Sequence, residues 1–148
     1  MIDKLWMTNF KAFRSIEIEC GRLNVFIGKN NSGKSSIINM LNVIAQTSLA
    51  RPATTPFLLN GAFDELGTFQ DAVHGHRSNT PIGFGFSTKR YSYDYQVKFR
   101  QQRREIDLTS LQIKDESQHI YKYSKLKEAN KHQIYGHYLD SLPRGLRN

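Results

Sequence analysis

Eight consecutive residues constrain this chain more than any other feature. Gly28-Lys29-Asn30-Asn31-Ser32-Gly33-Lys34-Ser35 fits the pattern G-x-x-x-x-G-K-S/T. A chance match in a chain of this length is on the order of one in two hundred. The pattern demands a strand before it and a helix after it, and the flanks read that way. Leu23-Asn24-Val25-Phe26-Ile27 is a nearly continuous apolar run, the composition of a strand buried on both faces. After the glycines the period changes. Ile37, Leu41 and Ile44 form one stripe with Ile38 and Ala45 beside it, which predicts a helix from residue 34 to about 47.

Such a loop is suited to phosphate. Gly28 and Gly33 let the backbone take angles closed to other residues. The amides of Lys29, Asn30, Asn31 and Ser32 then converge as an anion nest, supplemented by the free N–H groups at the helix start. Lys34 is expected to bridge the β- and γ-phosphates, Ser35 to give its hydroxyl to Mg²⁺, and Ser36 to reach the α-phosphate. The expected cofactors are ATP and Mg²⁺. A glycine-rich turn without a ligand is the bland alternative, and the strand–loop–helix context weighs against it.

The rest of the chain alternates with a period of two. Lys4 to Phe10 and Ser15 to Glu19 read as short strands joined tightly through Lys11-Ala12-Phe13-Arg14, hence antiparallel. Arg51-Pro52 stops the helix, and residues 48–81 carry Thr, Pro, Asn and Gly punctuation, with a turn or two of helix at Thr68 to Val73. Ile82 to Ser87, then Tyr91 to Phe99, then a run from Ile106 predict an antiparallel meander. Residues 118–138 fit strand and helix alike.

Composition narrows the class. Nine Phe and seven Tyr with 39% hydrophobic residues can build a core, so this is not a disordered segment. One cysteine, Cys20, excludes an internal disulfide or a cysteine-based zinc site. No apolar stretch approaches the roughly 20 residues of a membrane helix, and charged residues interrupt every early apolar run. The expectation is a cytoplasmic protein without a membrane partner. The net charge of +8 is uneven: residues 1–88 hold eight Lys/Arg against six Asp/Glu, residues 89–148 thirteen against seven. A basic half attracts nucleic-acid phosphates, but it is equally the make-up of a solvated surface.

The order N-F-K-A-F (Asn9 to Phe13), I-E-I-E, then L-N-V-F-I-G-K-N-N-S-G-K-S-S resembles the amino-terminal start of SMC/RecF/OLD-type ABC ATPases over residues 5–47. Phe57 to His76 resembles a subset of stand-alone bacterial members, some found in defence modules beside a nuclease. The resemblance implies an α/β fold, the P-loop NTPase lobe of an ABC-ATPase head: a mixed sheet, an antiparallel strand subdomain and one main P-loop helix. The chain then divides as a single amino-terminal lobe over 1–148, with strands, loop and helix in 1–47, an irregular insertion in 48–81 and a basic antiparallel subdomain in 82–148. It implies ATP binding in DNA repair, DNA maintenance or anti-phage defence. The implied partners are a carboxy-terminal lobe or second head, DNA and a nuclease.

The family's Walker B motif is an apolar run followed by Asp-Glu, which Ile106-Asp107 and Leu139-Asp140 do not match. Its L-S-x-G-like signature is not met by Ser141 to Gly145 either. The catalytic residues are therefore not identified, and hydrolysis by this chain alone is not expected. Lys11 sits where the family places a basic residue near the nucleotide, though an exposed turn lysine explains it as well. Gln112, Gln118 and Gln133 are all candidates for the family's Mg²⁺-touching glutamine.

His74-Gly75-His76 lacks the partners of a metal site. Tyr91, Tyr93 and Tyr95 read as a packed sheet face more than a base-stacking ladder. Arg100, Arg103 and Arg104 suit a solvated turn or a phosphate contact. Two rival readings remain open. One is another P-loop enzyme, a kinase or GTPase, although no N-K-x-D motif is present. The other is a non-catalytic DNA- or protein-binding module with a vestigial nucleotide site.

Overall fold

A computed structural model describes residues 1–50, 56–116 and 120–124. Six strands form one sheet: β1 (Lys4–Phe10), β2 (Phe13–Glu19), β3 (Ile82–Ser87), β4 (Tyr91–Arg100), β5 (Glu105–Asp115) and β6 (Ile120–Ser124). The spatial order is β2-β1-β3-β4-β5-β6. Every neighbouring pair is antiparallel, with Leu5 opposite Ile18 on one side and Phe86 on the other. The predicted hairpin and meander are thus one continuous sheet. A register shift between Gln96 and Val97 marks a bulge in β4.

Two expectations are corrected among the described residues. The sheet is antiparallel throughout, not mixed. Leu23–Ile27 is also not a strand, and Leu23, Val25 and Ile27 are 83%, 71% and 92% exposed. The reason is pairing. A strand buried on both faces needs hydrogen-bonding neighbours and cover on each side, and no described strand lies beside this run. Its apolar composition was read correctly, but composition cannot supply a neighbour.

One face of the sheet carries the core. Leu5, Met7, Phe84 and Val97 share one buried cluster with α1 (Lys34–Leu49), whose Ile37, Met40 and Val43 are buried. Burial of each such side chain contributes about 1.5–3 kcal/mol. The helix is the predicted one, rotated. Leu41 and Ile44 are only partly buried and Ile38 is 48% exposed, while Met40 and Val43 are fully covered. Tyr93 stacks on Phe86 and Tyr95 packs on Phe84, so two members of the tyrosine ladder belong to the packed face. Burial, aided by Tyr91, pushes the Tyr93 phenol pKa upward.

On the opposite face Trp6 lies flat across Gly85, where a Cβ would come within 2.3 Å of the indole, and its Nε1–H donates to Asp94 at 3.1 Å. The glycine is there for close approach.

The segment after residue 55 is clamped to the far end of α1. Buried Gln46 donates to the Leu58 carbonyl (2.6 Å) and accepts from the backbone N–H groups of Phe63 (3.3 Å) and Asp64 (3.1 Å). Then α2 (Phe69–Ala72) forms, the short helix expected at Thr68 to Val73. Thr68 caps it, accepting from the Asp71 N–H while the Asp71 carboxylate accepts from Thr68, a reciprocal capping box. A 3₁₀ turn follows at His74–His76.

Candidate nucleotide-binding site

The Gly28–Ser35 loop leads directly into α1. Gly33 sits at the helix N-cap with φ 94°, a left-handed angle that favours glycine. Space demands glycine as well: a Cβ there would lie 2.4 Å from the Phe13 ring and 3.1 Å from Ala12 Cβ. The turn between β1 and β2 therefore rests on the loop. Asn31 is also left-handed, at φ 66°.

Lys34 closes the loop on itself. Its ammonium donates to the carbonyls of Gly28 (2.8 Å) and Lys29 (2.7 Å) and, more weakly, to Ser32 Oγ (3.4 Å). These bonds draw six residues of backbone around one cation. The first turn of α1 contains no acidic residue and no side chain caps it, so its orphan N–H groups and positive dipole end face the loop. Lys29 to Ser32 and Ser35 are exposed, so the Ser35 hydroxyl is open to a metal. This donor set fits a polyphosphate with its Mg²⁺: amides and a lysine for the oxygens, one hydroxyl for the cation.

Ser36 joins the hairpin to the helix. It is buried, and its Oγ accepts from the Ala12 N–H at 3.4 Å, tying the β1–β2 turn to α1. Lys11, in that turn, is left-handed at φ 45° and makes no ion pair among the described residues.

Other flagged residues lie elsewhere. Asp107, on β5 and three strand spacings (roughly 14 Å) from β1, forms an ion pair with Arg100 of β4. Arg103 pairs with Glu105. Gln112 stands opposite Asp94 on the face away from the core. Gln118, Gln133, Leu139-Asp140, Ser141 to Gly145 and the Arg51-Pro52 stop lie outside the described residues. Each histidine of the His74/His76 pair is engaged with a backbone carbonyl, Lys11 and Gln70 respectively. No group of three or more His, Cys, Asp or Glu is placed to hold a metal among the described residues. A separate cavity of about 550 Å³, lined by Phe57, Phe69, Phe99 and Arg104, lies on the β4–β5 side rather than at the loop.

A glycine-rich loop gathered around a lysine at the open start of a helix, packed on an antiparallel sheet, defines a P-loop nucleotide-binding protein. The chain belongs to the AAA ATPase domain family, whose model matches residues 1–138. No curated protein matches it. Membership implies nucleotide binding, usually with Mg²⁺. No helix among the described residues is long and apolar enough to cross a membrane.

Proposed function

We propose that this chain is the ATP-binding lobe of an SMC/RecF/OLD-type ATPase, taking Mg-ATP at Gly28 to Ser36 with Lys11 beside it. The carrying observation is the Lys34-gathered loop set against an uncapped helix start. On binding, phosphate oxygens replace the loop carbonyls around Lys34, while the amides of Lys29 to Ser32 take up the remaining oxygens. The Ser35 hydroxyl coordinates Mg²⁺. The β1–β2 hairpin leading into the loop, in the order N-F-K-A-F, I-E-I-E, L-N-V-F-I, supports the finer family reading.

The exposed run at Leu23, Val25 and Ile27 supports a partner. A carboxy-terminal lobe or second head that supplies a neighbouring strand gives these side chains cover and completes the nucleotide site. The basic half from residue 89 suits DNA, in repair, maintenance or anti-phage defence in the cytoplasm, with a nuclease as companion.

The test is titration of a fluorescent ATP analogue with Mg²⁺ against wild type and Lys34→Ala. Loss of the charge-assisted contacts costs about 1.5–3 kcal/mol, or about 10- to 150-fold in affinity. Equal affinity for the two proteins overturns the reading.

A further inference from the structure

We infer that His74 is a positioning residue of the nucleotide site: its Nδ1–H holds the Lys11 carbonyl, and so fixes the β1–β2 turn against the Gly28–Ser35 loop. The inference rests on the nucleotide reading above and assigns a role within that site to a residue 63 positions from the turn it holds.

Three chain segments stack at this point. On one side of the turn, residues 72–74 hold it through successive contacts. The Lys11 N–H donates to the Ala72 carbonyl at 2.7 Å, Phe10 forms an antiparallel bridge with Val73, and His74 Nδ1 lies 2.9 Å from the Lys11 carbonyl. On the other side the turn lies on the phosphate loop. Ala12 and Phe13 leave no room for a side chain at Gly33, and the Ala12 N–H reaches Ser36 Oγ. Whatever moves residues 10–12 therefore moves the surface that the loop rests on.

The turn needs holding. Asn9 and Lys11 are both left-handed, at φ 54° and 45°. Residues other than glycine keep such angles only where their surroundings determine them. Lys11 has its N–H and its carbonyl both engaged, the latter by His74, so its backbone is fixed at both ends and its side chain leaves from a defined place. A carbonyl can only accept, so the imidazole proton on this nitrogen is required: His74 is the Nδ1–H tautomer or the doubly protonated ring. That assignment can be checked without any nucleotide.

The experiment combines the ATP-analogue titration with ring spectroscopy on the full chain. In the nucleotide-free protein, ¹⁵N NMR of the imidazoles reports Nδ1 protonated at His74. Removing one such hydrogen bond in His74→Ala weakens Mg-ATP analogue binding about threefold to tenfold. His74→Asn, whose amide nitrogen falls near the Nδ1 position, restores affinity to within about twofold, while His74→Gln does not.

Wild-type affinity in His74→Ala, no recovery in His74→Asn, or an Nε2–H tautomer with Nδ1 unprotonated overturns the inference. If His74→Ala fails to fold, the Asn and Gln variants decide it. Failure of the nucleotide reading looks different: wild type and Lys34→Ala then bind alike, and His74 falls with it.

Discussion

Lys34 has its ammonium donors engaged by the oxygens of its own loop, Gly28, Lys29 and Ser32. It is the strap that shapes the loop and, in the proposed function, the charge that meets phosphate. Ser35 is simpler, an exposed hydroxyl one residue further on. Its expected contribution runs through the metal, so Ser35→Ala should weaken ATP-analogue binding in Mg²⁺, by about threefold to tenfold for one lost ligand interaction. The deficit should shrink when both proteins are titrated in EDTA, and a deficit of equal size there removes the hydroxyl from the metal. The loop that carries these two proposed roles was legible because it lies within eight consecutive residues. The engagement of Ser36 by Ala12 and of Lys11 by His74 was not legible, since each joins residues 24 and 63 positions apart. No local pattern encodes such a pairing.

Among the elements, strands with a strict two-residue period were read correctly because side-chain alternation is a local property. The helix was read in extent but not in orientation. Ile37, Ile38, Met40, Leu41, Val43 and Ile44 cover so wide an arc that the sequence offers several equivalent faces. The sheet and the Gln46-clamped segment select the one centred on Met40 and Val43.

The capping box of α2 makes a pH-dependent prediction. The Asp71 carboxyl is held below its ordinary value of 3.8, first by the Thr68 hydroxyl and then by the Thr68 backbone N–H. A depressed folded-state pKa contributes stability that is present above the unfolded value and lost as pH falls through the folded one. Thr68→Val should therefore unfold at lower urea than wild type at pH 5–7. The gap between the two should begin to narrow as pH drops below about 4 and be smallest below the depressed folded-state value, where the carboxyl is protonated in both states. A gap independent of pH would exclude the charged capping contact.

At the scale of the molecule, one antiparallel sheet with α1 across it presents the Gly28–Ser35 loop, and Asp107, the described aspartate first considered for the metal, is not beside it. Asp107 is committed to Arg100 three strands away from β1. Residues 1–148 on their own should bind Mg-ATP yet turn it over well below an ordinary ATPase rate of ~1 s⁻¹, because the sequence carries no apolar run followed by Asp-Glu to position the attacking water. A malachite-green phosphate assay checks this. Turnover at ~1 s⁻¹ would direct mutagenesis to Asp107 and Asp140, whereas turnover appearing only with an added carboxy-terminal lobe supports the half-site reading.

By itself, the sequence determined the parts whose causes are local: the phosphate loop, the helix that follows it, the hairpin before it and the alternating strands. Tertiary structure alone decided which faces met and which strands paired. It joined hairpin and meander into one sheet, laid the β1–β2 turn on Gly33, and left Leu23–Ile27 outside the sheet. Hydrophobic composition makes a segment fit to be buried, but hydrogen-bonding neighbours bury it, and those come from residues far away in the chain.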